Sequence, residues 1–148
     1  KQLHLLKKYG AAVFASIGSG VATSVVSIFL MCQLMGLSHV NYVTLLPKSI
    51  TTAIGMGVSE EAGGIVTLTV MSIILTGVIG NVLGELVFRI TGVRHPIARG
   101  LALGTSAHAI GTAKALELGE IEGAMSSLSI AVAGLMTVIA VPIAANLI

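Results

Sequence analysis

Charged residues are scarce in this sequence, and their scarcity excludes a soluble domain. Only 9% of the residues are charged and 55% are hydrophobic, with a mean hydropathy of +1.01. An average soluble domain has roughly 25% charged residues. A soluble fold of 148 residues could not bury so much apolar surface. The composition therefore predicts an integral membrane protein.

Cysteine pairs, clustered basic residues and catalytic signatures are also missing. Cys32 is the single cysteine, which excludes disulfide frameworks and multi-cysteine metal sites within one chain. The net charge of +2 is too small and too dispersed for a nucleic-acid-binding face. No nucleophile, base and orienting acid follow an enzyme's local signature, and neither a phosphate-binding loop nor a metal motif occurs. We therefore expect neither an enzyme nor a cofactor.

The charges that do occur separate long apolar runs. Three runs exceed the roughly 20 residues that cross a bilayer core, and they lie at residues 11–37, 65–90 and 123–148. Lysines at positions 1, 7 and 8 precede the first run and predict a loop there. Because the chain does not begin with Met, we also expect further sequence before it. The basic turn with Arg89 and Arg94 is expected on the cytoplasmic side.

Two inserts between these runs are too polar and glycine-rich for lipid-facing spans. They cover residues 45–64, after a predicted polar turn at 39–44, and residues 97–116. Thr-Ala-Ile-Gly at 52–55 in the first insert corresponds to His-Ala-Ile-Gly at 108–111 in the second. Non-helical backbone is tolerated at membrane depth only where protein or water satisfies its hydrogen bonds. The expected helix breaks are Pro47, Gly55, Gly104 and Gly111.

The topology of the inserts has two solutions. If the chain start and the arginine turn are both cytoplasmic, the first insert re-enters from outside and the second from the cytoplasm. That arrangement is the inverted-repeat plan of secondary transporters. In the alternative, both inserts are broken helices that span the membrane, which makes the repeats parallel and puts the arginines outside.

The inserts also carry the residues expected to bind a solute. A positive charge near the start of each insert, Lys48 or Arg99, would attract a carboxylate, although both side chains could instead snorkel to lipid phosphates. His108 would hydrogen-bond a substrate or titrate near neutral pH, which leaves coupling to protons open, or it would act only as a structural partner. The expected substrate-binding residues are Lys48, Ser49, Thr51, Thr52, Arg99, Thr105, Ser106, His108, Thr112 and Lys114.

Two motifs resemble those of a known family. Leu-Pro-Lys-Ser-Ile-Thr-Thr-Ala-Ile at 46–54, and Ala-Arg-Gly-Leu-Ala-Leu-Gly-Thr-Ser-Ala-His-Ala-Ile-Gly-Thr-Ala-Lys-Ala at 98–115, resemble the LrgB/CidB family. The second motif is followed by Glu-Gly-Ala-Met-Ser-Ser-Leu at 122–128. The resemblance runs through essentially the whole chain, which matches the C-terminal two-thirds of longer family members. It implies a multi-pass protein of the bacterial inner membrane.

The resemblance implies two kinds of function. The family is described as holin-like or antiholin-like, regulating murein hydrolase activity and lysis with a small LrgA/CidA-type partner. Plant relatives resemble plastid glycolate and glycerate carriers, and some bacterial relatives are linked to pyruvate.

From these observations we expect an all-helical membrane protein, a homo-oligomer in the lipid bilayer, that passes a small monocarboxylate through the two inserts by alternating access. The alternative is a lysis regulator that assembles with a partner protein. An assembly protein would use the small-residue stripe of the second run, Gly77, Gly80 and Gly84, in which Gly80 and Gly84 have GxxxG spacing.

Overall fold

The structure, a computed structural model, describes residues 3–147, and side chains from Tyr9 onward. Every regular element in this range is helical. The helices are α1 (Leu3–Met35), α2 (His39–Leu45), α3 (Thr52–Glu61), α4 (Val66–Thr91), α5 (Pro96–Leu118) and α6 (Glu120–Ala144), with a 3₁₀ turn at Ala145–Leu147. Lysines 7 and 8 lie inside α1, so the loop predicted there is wrong, and Lys1 lies outside the described residues.

Three of these helices are long and apolar enough to cross a membrane. They comprise Tyr9–Met35, Val66–Thr91 and Glu120–Leu147, with mean hydropathies of 1.9, 2.0 and 2.3. Large apolar side chains lie on their outer surfaces, including Leu34 (86% exposed) and Ile90 (76% exposed). Such an exposed apolar surface is stable against lipid and costly in water. The prediction of an all-helical membrane protein is confirmed.

The two ends of the bundle differ in composition. The arginine end contains the start of α1, the end of α4 and the start of α5, where Val13, Leu101 and Met125 share one core cluster. All three arginines of the chain belong to α4, α5 or the turn between them. The Tyr42 end contains the end of α1, α2, the start of α4 and the end of α6, and its core cluster includes Tyr42 and Ala144.

The first insert begins and ends at the Tyr42 end. Residues 39–44 form most of helix α2 and not the polar turn that was predicted, because Tyr42 and Val43 supply an apolar face that is fully buried. No regular helix is present at residues 46–51, here called the tip, and α3 then runs back from it. Thr44 of α2 bonds twice to the start of α4: its Oγ1 accepts from the Ile65 amide at 2.8 Å, and its carbonyl accepts from the Thr69 hydroxyl group at 2.9 Å. The insert is therefore a hairpin.

The second insert begins and ends at the arginine end. Helix α5 is interrupted at His108, whose φ of 43° and ψ of −133° are not helical. Leu103 before the break and Ala115 after it pack in one cluster with Phe88 near the end of α4. Gly100 lies against the backbone of Glu122 in the first turn of α6. The two halves of α5 therefore fold back on each other, and the break lies at mid-depth.

Only some of the predicted helix breaks are used. Pro47 lies in the tip of the first insert, but Gly55 lies inside α3 and is packed under the Ile73 side chain. Gly104 and Gly111 lie inside α5, where Gly104 contacts the backbone of Ser126 and Gly111 contacts the Leu103 carbonyl. Gly55, Gly104 and Gly111 do not break their helices; they allow close packing, since a Cβ at any of them would collide with a neighbour.

Candidate functional site

A cavity of about 720 Å³ lies where the two inserts approach each other. Its lining comes from α1, the tip of the first insert, the middle of α4 and the first half of α5. Nine of its sixteen lining residues carry a hydroxyl group. At membrane depth, polar side chains face the bundle interior or a water-filled space, so this cavity is the candidate site for a polar solute.

Lys48 is the one charged residue among those that line the cavity. Its side chain is half-buried, and its Nζ donates to Ser49 Oγ at 3.1 Å. Ser49 Oγ in turn lies 3.1 Å from Ser24 Oγ of α1. This short chain of polar atoms holds the ammonium group at the tip of the first insert. No carboxylate is among the lining residues, so the charge that a solute meets there is positive.

Helix α1 supplies the largest share of the hydroxyl groups. Five of its hydroxyl-bearing residues line the cavity, Ser16, Ser19, Thr23, Ser24 and Ser27. Their spacing of three or four residues, with two adjacent members, puts them on one helix face. Several bond to the carbonyl three or four residues earlier, as Thr23 Oγ1 does to Ser19 at 2.7 Å, and a hydroxyl group that donates in this way keeps its lone pairs as acceptors.

This hydroxyl stripe on α1 is not among the predicted site residues, although the sequence carries a signal for it. The spacing itself is visible in the sequence, but the neighbouring glycines suggested a packing face instead. Gly20 does serve packing, because a Cβ there would lie 2.6 Å from Thr105 Cγ2. One face of α1 thus combines close packing on α5 with a polar lining.

The structure brings four of the predicted site residues to the cavity: Lys48, Ser49, Thr105 and Ser106. Thr51 ends the tip and Thr52 begins α3, and neither is among the lining residues. Arg99 lies away from the cavity, with its Nε donating to the Val93 carbonyl at 2.9 Å and its guanidinium 5.6 Å from the Phe88 ring centroid. The second positive charge expected at the site is therefore absent from the lining.

His108 occupies a strained position behind the cavity. Its side chain is buried (3% exposed), and Nε2 lies 2.9 Å from the Ile73 carbonyl of α4. A φ of +43° in a residue other than glycine costs about 1–3 kcal/mol and persists only where the surroundings enforce it. Gly77 makes room for the ring, since a Cβ at Gly77 would lie 2.8 Å from His108 Cε1. His108 therefore joins the break in α5 to the middle of α4.

The remaining predicted site residues make contacts within the protein. Thr112 Oγ1 donates to the His108 carbonyl at 2.9 Å and lies 2.7 Å from Ser126 Oγ. Lys114 Nζ lies 3.1 Å from Glu117 and 3.6 Å from Glu85. The hydrogen bond to Glu117 raises the pKa of Lys114, and the charge of Glu85 adds to the effect. These residues belong to the framework of the second insert.

The glycine stripe of α4 is occupied by α5 of the same chain. Gly77 faces His108, Gly80 faces Ala107 and Gly84 faces Leu103. A partner protein could not use this face without displacing α5. Within residues 3–147, no group of three or more His, Cys, Asp or Glu side chains could hold a metal ion.

Comparisons with known proteins place these observations in a family. A family model described as LrgB-like matches residues 1–147. The holin-like protein CidB of Staphylococcus epidermidis is 44% identical over 138 residues, covering 93% of this chain and 60% of that protein. The antiholin-like protein LrgB of Bacillus cereus is 41% identical over 142 residues, covering 96% of this chain and 62% of that protein. The chain thus spans about 60% of the length of these relatives. No solved structure matches it.

Proposed function

Because the chain belongs to the LrgB-like family and is a multi-pass protein of the bacterial membrane, we propose that it carries small monocarboxylates, such as pyruvate or glycolate, across that membrane. The observation that supports this proposal best is the composition of the cavity lining, in which Lys48 is the one charge and hydroxyl groups predominate. The ammonium group attracts the carboxylate, and the hydroxyl groups orient the rest of a small polar anion.

The strength of this attraction depends on the low polarity of the surroundings. Two opposite charges 4 Å apart attract with about 4 kcal/mol at an effective dielectric constant of 20, compared with about 1 kcal/mol in water. A cation would meet Lys48 with no carboxylate among the lining residues to offset the repulsion. An apolar solute would leave the hydroxyl groups of α1 without new partners. The site therefore selects anions with several oxygen atoms.

The packing at the Tyr42 end supports a carrier over an open pore. Tyr42 is fully buried there and donates from its hydroxyl group to the Ala144 carbonyl at 3.0 Å. The Ile28 and Val141 side chains of the same cluster fill the space between α1 and α6. In the other direction, the cavity lining extends to Ser16 and to Ala98 in the first turn of α5. A cavity that is closed at one end suits alternating access.

The charge distribution supports the re-entrant topology. Lysine and arginine residues are enriched on the cytoplasmic side of membrane proteins. In the described part of the chain, Arg89, Arg94 and Arg99 belong to the arginine end, whereas Glu60 and Glu61 are exposed at the Tyr42 end. We assign the arginine end to the cytoplasm. The first insert then enters from outside and the second from the cytoplasm, as an inverted repeat requires.

The test is uptake of labelled pyruvate and glycolate into liposomes that contain the full-length protein. We expect saturable uptake by the wild type and a loss of at least about tenfold in Lys48→Met, which keeps the unbranched stem of the side chain and removes its charge. Lys114→Met is the matched control, because Lys114 lies outside the cavity lining, and it should retain uptake. No uptake above empty liposomes by folded wild-type protein would contradict the proposal, as would wild-type uptake in Lys48→Met.

The names of the relatives favour a second candidate function. Holin-like CidB and antiholin-like LrgB are named for lysis control, and this chain would then regulate murein hydrolase activity together with an LrgA/CidA-type partner. Its binding face would lie elsewhere than the glycine stripe of α4, which α5 covers. Cells that lack the protein would be complemented with the wild type or with Lys48→Met, and their autolysis compared. Full complementation by Lys48→Met would favour a regulator that works without the cavity.

A further inference from the structure

Thr105 differs from the other helical hydroxyl residues around it. Ser106, the next residue, bonds to the Ala102 carbonyl at 2.7 Å, and Thr112 bonds to the His108 carbonyl. The corresponding bond from Thr105 to Leu101 is not made. Thr105 is only 8% exposed, and its Oγ1 has no hydrogen-bond partner within the described part of the chain. A buried hydroxyl group without a partner is destabilising and therefore rare in native proteins.

Thr137 of α6 lines the same space as Thr105 and is also buried, although Thr105 Oγ1 is the one fully enclosed side-chain oxygen without a partner in the described part of the chain. Thr137 is 5% exposed, and its side chain makes no hydrogen bond to residues 3–147. Thr105 and Thr137 both line a small enclosed space, which Ser24 and Ser49 also line. The centre of a water molecule could occupy a volume of about 10 Å³ within it. Four segments thus contribute hydroxyl residues to the lining of this space: α1, the tip of the first insert, α5 and α6.

We propose that this space is a binding site for one water molecule, which bridges Thr105 and Thr137. A water molecule needs roughly 10–15 Å³ of such room and two to four polar partners, and the site offers both. Ser24 and Ser49 already share a hydrogen bond, yet a hydroxyl group with one donor and two lone pairs can still accept from water.

Other small ligands fit this space less well. The four hydroxyl groups are neutral, and the Lys48 ammonium lies 3.1 Å from Ser49 Oγ, so a metal cation would be repelled at close range. An apolar ligand would leave Thr105 and Thr137 without partners. Water is small, neutral and able both to donate and to accept.

The bound water has a structural consequence for the cavity. Lys48, Ser49 and Ser24 form a hydrogen-bonded chain within the first insert and α1. Through the water this chain continues to Thr105 in the second insert and Thr137 in α6. The position of the single cavity-lining charge then depends on both inserts. The inference does not rest on transport and is tested separately from it.

The first test is thermal unfolding of the full-length protein in detergent. Thr105→Val and Thr137→Val keep the side-chain shape and remove one hydroxyl group, and each should lower Tm by about 2–4 °C. The double variant should lose less than the sum, because either substitution alone already weakens the shared water. Thr23→Val is the control, since the Thr23 hydroxyl group is exposed and bonds within α1, and its Tm should stay unchanged. Thr105→Ser retains the hydroxyl group but loses the methyl group that packs beside Gly20, and in it Thr137→Val should still lower Tm by about 2–4 °C, as in the wild type.

A dry site predicts different results. Thr105→Val would then remove an unpaired hydroxyl group and raise Tm, and the two Val substitutions would be additive; either result overturns the proposal. An experimental structure at about 2 Å resolution gives an independent reading. Density for a water molecule within hydrogen-bonding distance of both threonines supports the proposal, whereas a direct bond from Thr105 to the Leu101 carbonyl contradicts it.

Discussion

The crossing of α4 and α5 at Gly80 allows a sharp test of how this fold is packed. A Cβ placed on Gly80 collides with the Cβ of Ala107. Ala107 is fully buried, and a methyl group has no rotamer that would relieve the collision. Gly80→Ala therefore forces the two helices apart at the level of the cavity, which both of them line.

The expected size of the effect follows from two opposing contributions. Overpacking of a rigid contact lowers the free energy of unfolding by about 2–3 kcal/mol. Alanine recovers about 1 kcal/mol, because glycine is the poorer helix former. The net loss of about 1–2 kcal/mol should lower Tm by about 2–8 °C for a protein of this size. Gly10→Ala in α1 is the matched control, since no atom lies within 4 Å of the added Cβ, and its Tm should stay equal or rise.

A second substitution distinguishes packing within the chain from assembly with a partner. Ala107→Gly removes the atom that Gly80→Ala strikes, so the double variant should be at least as stable as Gly80→Ala alone, although Ala107→Gly by itself destabilises α5. Thermal unfolding of the purified protein measures all three variants. Additive losses, or an unchanged Tm for Gly80→Ala, would refute the reasoning and return the glycine stripe to the role of an assembly face.

Two further predictions concern the strained turn and the closed end. His108→Ala should lower Tm more than His108→Gly, by the equivalent of about 1 kcal/mol, because both lose the bond to Ile73 but only glycine adopts a φ of +43° without strain; equal values would show that the strain is absent. Tyr42→Phe removes the hydroxyl group that donates to the Ala144 carbonyl and should lower the free energy of unfolding by about 1 kcal/mol. In liposomes the same variant should raise leakage of small anions if this end is the closed gate, and tight liposomes would argue against that assignment.

Much of the architecture could be predicted from local properties of the sequence. The length of an apolar run and the absence of charge within it decide whether a helix can cross a bilayer, and both are visible in residues 65–90. The same holds for the two inserts, since glycine, proline and hydroxyl residues accumulate there at a density that lipid-facing helices do not show. Ser49, Thr105 and Ser106 are predicted on these grounds and Lys48 from its charge within an insert, and the structure brings all four to one cavity.

Other features depend on contacts between distant segments, which spacing does not encode. Gly104, His108 and Gly111 all lie in the second insert, yet only His108 has non-helical backbone angles. The two glycines are packed closely against backbone atoms, whereas the His108 ring bonds to the Ile73 carbonyl of α4. Lys114 was expected to face a solute, and ion pairs hold it beside Glu85 and Glu117.

The sequence alone therefore determined the environment of the chain, its helical class and the segments in which polarity interrupts the spans. The tertiary structure decided which polar residues meet. Ser24 and Ser49 are 25 positions apart and share a hydrogen bond at the cavity, while Arg99 and Lys114 turn to partners elsewhere. The physical reason is that hydropathy and charge are properties of short stretches of sequence. Packing, in contrast, brings together side chains from helices that are far apart in sequence.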